Sequence, residues 1–194
     1  MKTKFYLAAL ILTLVMINNS YSQELKSGPP KYSISVFGGF LQPTGDFNNF
    51  YKSSGMVGLS VYYDVNQEVS LGTEVSFNFL ANRQDGGSSS SFIQITSGPR
   101  YYFKTRKLKS SFFLEAGIGG YMFNSGTYMI NASGDAINPP SEVNVNLGVS
   151  GGLGGEVSLA KTVKMIFRGK YHNIFGNEGS TNFVTLDGGI KIYL

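Results

Sequence analysis

The chain has 194 residues, enough for one domain, and combines 25 Gly, 15 Phe and 12 Tyr with no Trp and no Cys. Without cysteine there is no disulfide framework, no thiolate metal site and no cysteine nucleophile. The net charge of +4, about +2 without Lys2 and Lys4 near the N-terminus, is too weak a balance to argue for nucleic acid as a partner.

Lys2 and Lys4 precede an apolar stretch from Phe5 to Ile17, followed by Asn18-Asn19-Ser20-Tyr21-Ser22. This order of basic, apolar and small polar residues predicts a secretory signal peptide over 1–22, with the mature chain starting at Gln23. The apolar run is well short of the roughly 20 residues that a spanning helix needs, and no later segment is continuously apolar. Residues 23–31, with Pro29-Pro30, read as a periplasmic lead-in, and 32–194 as one all-β domain.

Within that domain eight segments alternate apolar and polar residues with period two, the pattern of strands with two unlike faces. In chain order they are Tyr32–Leu41, Met56–Asp64, Glu68–Phe79, Ser91–Phe103, Ser111–Phe123, Glu142–Leu153, Val163–His172 and Val184–Leu194. Glu68–Phe79 is the clearest: Val69, Leu71, Thr73, Val75, Phe77 and Phe79 share one face, with Ser70, Gly72, Glu74, Ser76 and Asn78 on the other. Runs of this length exceed the five or six residues of a common soluble strand and match the 9–11 of a tilted transmembrane strand. Short links at 64–67, 104–110 and 159–162 alternate with longer ones at 42–55, 81–90, 124–141 and 174–181, the asymmetry of bacterial barrels. The fold expected is an eight-stranded, antiparallel, up-and-down transmembrane β-barrel with both termini on the periplasmic side.

Alternation alone does not say which face is outside, since a soluble barrel of the lipocalin type would bury the apolar set. Aromatics favour the membrane orientation: Tyr32, Tyr63, Tyr101, Phe103 and Phe112 share the apolar face near the short turns, and Phe40, Phe79 and Tyr171 share it near the long loops. They would form two interfacial girdles. The opposite face carries Glu74, Arg100, Glu115, Arg168 and Lys170 in mid-strand, where Arg or Lys facing lipid would cost roughly 2–4 kcal/mol. The lipocalins' first-strand Gly-x-Trp motif is absent.

The chain ends in Asp187-Gly188-Gly189-Ile190-Lys191-Ile192-Tyr193-Leu194. This resembles the β-signal read by the outer-membrane assembly machinery, with Asp187, Gly189, Ile192 and Leu194 on its pattern and Leu standing where Phe is commoner. The opening hairpin, Val36-Phe37-Gly38-Gly39-Phe40-Leu41-Gln42-Pro43-Thr44-Gly45-Asp46-Phe47 followed by Gly55 and Gly58, resembles the first strand and loop of the OmpX-like and OmpA-transmembrane-domain-like family of outer-membrane barrels. The resemblance covers the mature chain and implies residence in the outer membrane of a Gram-negative envelope. It carries no counterpart of the separate peptidoglycan-binding domain.

An eight-stranded barrel is nearly filled by its own side chains. Glu74, Arg100, Glu115 and Glu156, with Arg168, Lys170, Asp187 and Lys191, place acid and base on adjacent or nearly adjacent strands and are expected to pair as a network plugging the lumen. His172, the single histidine, has lumen parity at the end of the seventh strand. Outer-membrane lipid A deacylases use a His-x-Ser-Asn stretch; the sequence here is His172-Asn173-Ile174-Phe175, without the serine, and the hydroxyls near in sequence are Ser180 and Thr181. The loop carboxylates Asp46, Asp85, Asp135 and Glu178 are scattered and build no metal site.

The function expected is therefore non-enzymatic: a monomeric barrel, without cofactor, that meets outer-membrane lipids and the assembly machinery and displays its loops to an extracellular ligand. A lipid-modifying enzyme with His172 as base, and a narrow pore, are the alternatives.

Overall fold

The computed structural model describes residues 32–45, 47–82, 90–103, 110–124, 129–130, 136–137, 143–176 and 179–194. The leader expected over 1–22 and the lead-in expected over 23–31 lie outside the described residues, as do Asp46, Asp85, Asp135, Glu178, residues 83–89 and 104–109 and most of 125–142.

Eight long strands build the wall: β1 Tyr32–Thr44, β2 Ser54–Asp64, β3 Val69–Asn82, β4 Ser90–Tyr102, β5 Ser110–Asn124, β6 Val143–Ser158, β7 Val163–Gly176 and β8 Gly179–Tyr193. Each pairs antiparallel with its chain neighbours. β8 returns to β1 in the register Ile34↔Ile192 to Phe40↔Leu186, and the Leu194 amide donates to the Tyr32 carbonyl at 2.9 Å, so the sheet closes. Closure leaves no long strand edge for another chain to extend.

Turn chemistry closes the short end. Asn66 Oδ1 accepts from the Glu68 and Val69 amides, both at 2.7 Å, the side-chain-to-backbone pattern that stabilises tight turns. At the long-loop end the first connection folds back on the barrel. Gly45 turns the chain at φ 59, where a side chain would be strained. A one-turn helix, Phe47–Phe50, follows, and Tyr51–Lys52 then pairs with Ala81 and Asn82 of β3.

The strands outrun the sequence reading at the loop end. β1 continues to Thr44 and β7 to Gly176, and β8 begins at Gly179, so the link read as a long loop over 174–181 is a hairpin whose ladder reaches Gly176↔Gly179. His172 accordingly sits within β7 and not at its end. The reason is legible in the residues: near this rim the alternation breaks into adjacent apolar pairs such as Phe40-Leu41, Phe79-Leu80, Ile174-Phe175 and Phe183-Val184. The wall there is apolar on both faces.

The two faces fall as the alternation predicts. Val36, Ile118, Leu153 and Leu186 point outward and are each more than 60% exposed, whereas Arg100 and Lys191 are 0% exposed inside. A continuous apolar exterior of this kind is insoluble in water and matched to lipid. Tyr32, Tyr63, Tyr101, Phe103 and Phe112 ring the turn end, and Phe40, Phe79 and Tyr171 the loop end, all outward. Tyr32 lies tilted against Tyr63 with centroids 5.2 Å apart, and Tyr101 meets Phe103 edge-on at 5.8 Å.

Candidate functional site: the filled lumen

Three layers fill the lumen. Nearest the short turns, Glu156 of β6 is the hub. Lys191 donates to its Oε1 at 2.7 Å and to Tyr102 Oη at 2.9 Å, and Tyr102 donates to the same carboxylate oxygen at 2.7 Å. Lys164 donates to Oε2 at 3.1 Å. Lys164 belongs to the network and was absent from the sequence reading, because it sits beside the turn, where a lysine ordinarily reaches water.

The middle layer holds two arginines on aromatic rings. Arg100 gives Nε and Nη2 to Glu115 Oε2 at 3.0 and 2.7 Å, and its Nη1 stands 3.6 Å from Glu156. Its guanidinium lies between the rings of Tyr62 and Phe113, at 4.0 and 4.2 Å. Arg168 donates to Asp187 at 2.7 Å and to Glu74, and lies 4.2 Å over the Phe37 ring. Lys170 also donates to Glu74. Such stacked, desolvated cations gain from the ring faces as well as from their carboxylates.

Glycine makes room for those rings. A Cβ at Gly72 would strike the Tyr62 ring, one at Gly154 the Phe113 ring and one at Gly58 the Phe37 ring. Each is the direct cross-strand partner of its aromatic: Tyr62↔Gly72, Phe113↔Gly154 and Phe37↔Gly58. A glycine floor, an aromatic ring and a guanidinium thus stack from wall to lumen axis. The three pairings come from the register.

All eight charges read from the sequence are buried inside: Glu74, Arg100, Glu115 and Glu156 on one side of the order, Arg168, Lys170, Asp187 and Lys191 on the other. Arg100–Glu115 and Arg168–Asp187 are cross-strand neighbours. Glu74 of β3 instead reaches across the lumen to β7. Of the residues on the terminal assembly pattern, Asp187 is thus engaged in an ion pair, Gly189 packs against β1 at Val36 and Phe37, and Ile192 and Leu194 face outward.

The third layer is apolar. Leu41, Leu80, Phe92, Tyr121, Ile174 and Phe183 come from six different strands and meet in one buried cluster at the loop end. Phe47 and Tyr51 of the folded-back first connection, with Phe123, pack against it from outside. His172 lies directly beneath, stacked on Phe183 with centroids 4.5 Å apart and planes at 9°. Its Nδ1 is 3.0 Å from Tyr121 Oη and its Nε2 3.2 Å from Thr185 Oγ1. The hydroxyls that contact His172 are therefore Tyr121 and Thr185, not Ser180 or Thr181, because β8 enters the wall before those residues can form a loop. Both ring nitrogens are engaged and the side chain is 1% exposed.

Against known proteins, no family model matches the chain, and no curated protein matches its sequence. Solved structures do. The chain superposes on Neisserial surface protein A with TM-score 0.56 at 15% identity, over 85% of this chain and 99% of that one. A major outer membrane protein from Thermus thermophilus gives TM-score 0.56 at 12% identity, covering 86% of this chain and 100% of that one. The N-terminal β-barrel domain of Pseudomonas aeruginosa OprF gives TM-score 0.51 at 15% identity, covering 84% and 97%. The chain folds as a small outer-membrane β-barrel. In such a barrel the outward apolar band meets lipid, and the paired charges form the interior of the wall's own cylinder.

Proposed function

We propose that this outer-membrane barrel is a closed, non-catalytic scaffold that presents its loops outside the cell for adhesion, recognition or envelope stability. The observation that carries this reading is the double closure of the lumen. An apolar cluster from six strands covers an ion-pair network in which each lumen carboxylate pairs with an arginine or a lysine. Among the described residues that leaves neither an open path nor a reactive group at hand, so contact with the outside falls to the loops. The long segments 83–89 and 125–142 are the candidates for an extracellular ligand. The leader, the terminal pattern of Asp187, Gly189, Ile192 and Leu194, and a monomeric state in the bilayer belong to the same proposal.

Shortening 83–89 and 125–142 to tight turns tests it. The barrel is expected to remain folded, with its gel mobility still changing on boiling, while cell-surface binding or envelope-stress resistance falls. If both phenotypes persist unchanged in a folded loop-less barrel, the display reading fails.

A further inference from the structure

The lumen contains one more built site. At Gly72, Gly98 and Gly117 neighbouring strands carry no inward side chain, and a cavity of about 20 Å³ lies beside them. A single water needs about 10–15 Å³ together with two to four polar partners. The walls supply such partners: Glu74, Glu115, Lys170, Thr96 and Ser150 all line the space. Glu115 is 8% exposed, and while its Oε2 takes both Arg100 donors, its Oε1 has no hydrogen bond. The cations nearest to Oε1, Arg168 and Lys170, stand 3.9 and 4.0 Å away, too far for a direct bond.

The ladder beside the cavity is interrupted. The β4–β5 register runs to Ser97↔Ile118 and resumes at Arg100↔Glu115, omitting the step where Gly98-Pro99 faces Ala116-Gly117. Pro99 has no N–H to give β5. The carbonyl oxygen of Ala116 points at this gap, being the atom nearest to where a Gly98 Cβ would stand. Lipid outside the wall cannot supply a donor, so one must come from within.

We infer that the cavity is a binding site for one ordered water molecule, which donates to Glu115 Oε1 and to the Ala116 carbonyl and accepts from Lys170. The stoichiometry is that of water: two donors for two acceptors, and one lone pair for an ammonium group. A cation would meet Lys170 and Arg168, and an anion would meet Glu74 and Glu115. The site repairs the ladder that Pro99 interrupts and links it to the ion-pair network.

Water–amide cross-relaxation on the ¹⁵N-labelled full barrel in lipid nanodiscs tests this. Long-lived water peaks are expected at the Gly98 and Gly117 amides, and are expected to survive Ser150→Ala, which removes the nearest relaying hydroxyl. Gly117→Ala puts a methyl into the cavity, toward Ser150 Oγ at 2.9 Å and Thr96 at 3.5 Å, and is expected to abolish them. Should that variant not refold, Pro99→Ala restores the N–H and is expected to weaken them. Absence of the peaks in the wild type, their loss in Ser150→Ala, or their persistence at full strength in Gly117→Ala or Pro99→Ala would overturn the assignment.

Discussion

At the scale of single residues, the lumen is stable only as a set. Desolvating an ion pair costs about as much as the attraction returns, but deleting one member leaves a buried charge unmatched, at about 3–5 kcal/mol. Glu74 is the sharpest instance, because Arg168 and Lys170 both depend on it. Glu74→Ala is therefore expected to lower unfolding stability by about 3–5 kcal/mol in urea titrations of vesicle-refolded barrel. Adding Lys170→Met is expected to recover part of that loss, since it removes a cation that has lost its Glu74 partner, whereas Arg168 keeps Asp187. Phe183 is the apolar counterpart: it is fully buried and meets His172, Phe92 and Tyr121. Phe183→Ala is expected to cost about 3–5 kcal/mol in the same assay, as a large core truncation does.

At the scale of elements, glycine placement decides how closely strands approach. A Cβ at Gly189 would strike the Val36 carbonyl and come within 2.8 Å of Phe37 Cα, on the β1–β8 seam that closes the barrel. Backbone cannot yield there without opening the ladder. Gly189→Ala is expected to reduce the heat-modifiable fraction on semi-native gels sharply, whereas Gly151→Ala, with nothing within 4 Å, is expected to leave it unchanged. Equal behaviour of the two variants would contradict the close-approach account. The same scale explains the strand ends. Period-two alternation marks a strand only while its faces differ, so the apolar pairs at the loop rim, Phe79-Leu80 and Phe183-Val184 among them, hid the last turns of wall. Those pairs were also the available signal for the aromatic cap, since a residue with lumen parity that is suddenly large and apolar must be packing against its counterparts on other strands.

At the scale of the whole molecule, closure at both levels of the lumen sets transport. The cluster of Leu41, Leu80, Phe92, Tyr121, Ile174 and Phe183 spans the loop end, and hydrated ions do not cross a packed apolar layer. Planar-bilayer recordings of the purified barrel are expected to show no discrete conductance steps, and a reproducible single-channel step would contradict the closed-lumen description.

The division of labour between chain and tertiary structure follows from the range of each interaction. Strand number, wall orientation, the girdles of Tyr32, Tyr101 and Tyr171, and lumen parity for eight charges were readable locally, because each depends on residues i and i+2 and on the solvent their face meets. The partners were not. Glu74 pairs with Arg168 and Lys170 from the far side of the cylinder, Lys164 joins Glu156 at the turn end, and Phe47 caps a cluster drawn from six strands. Tyr62, Phe113 and Phe37 share parity with those charges, yet their seats on Gly72, Gly154 and Gly58 exist only in register. Alternation specifies which way a side chain points; only closure of the sheet, by fixing stagger and diameter together, specifies what it meets when it gets there.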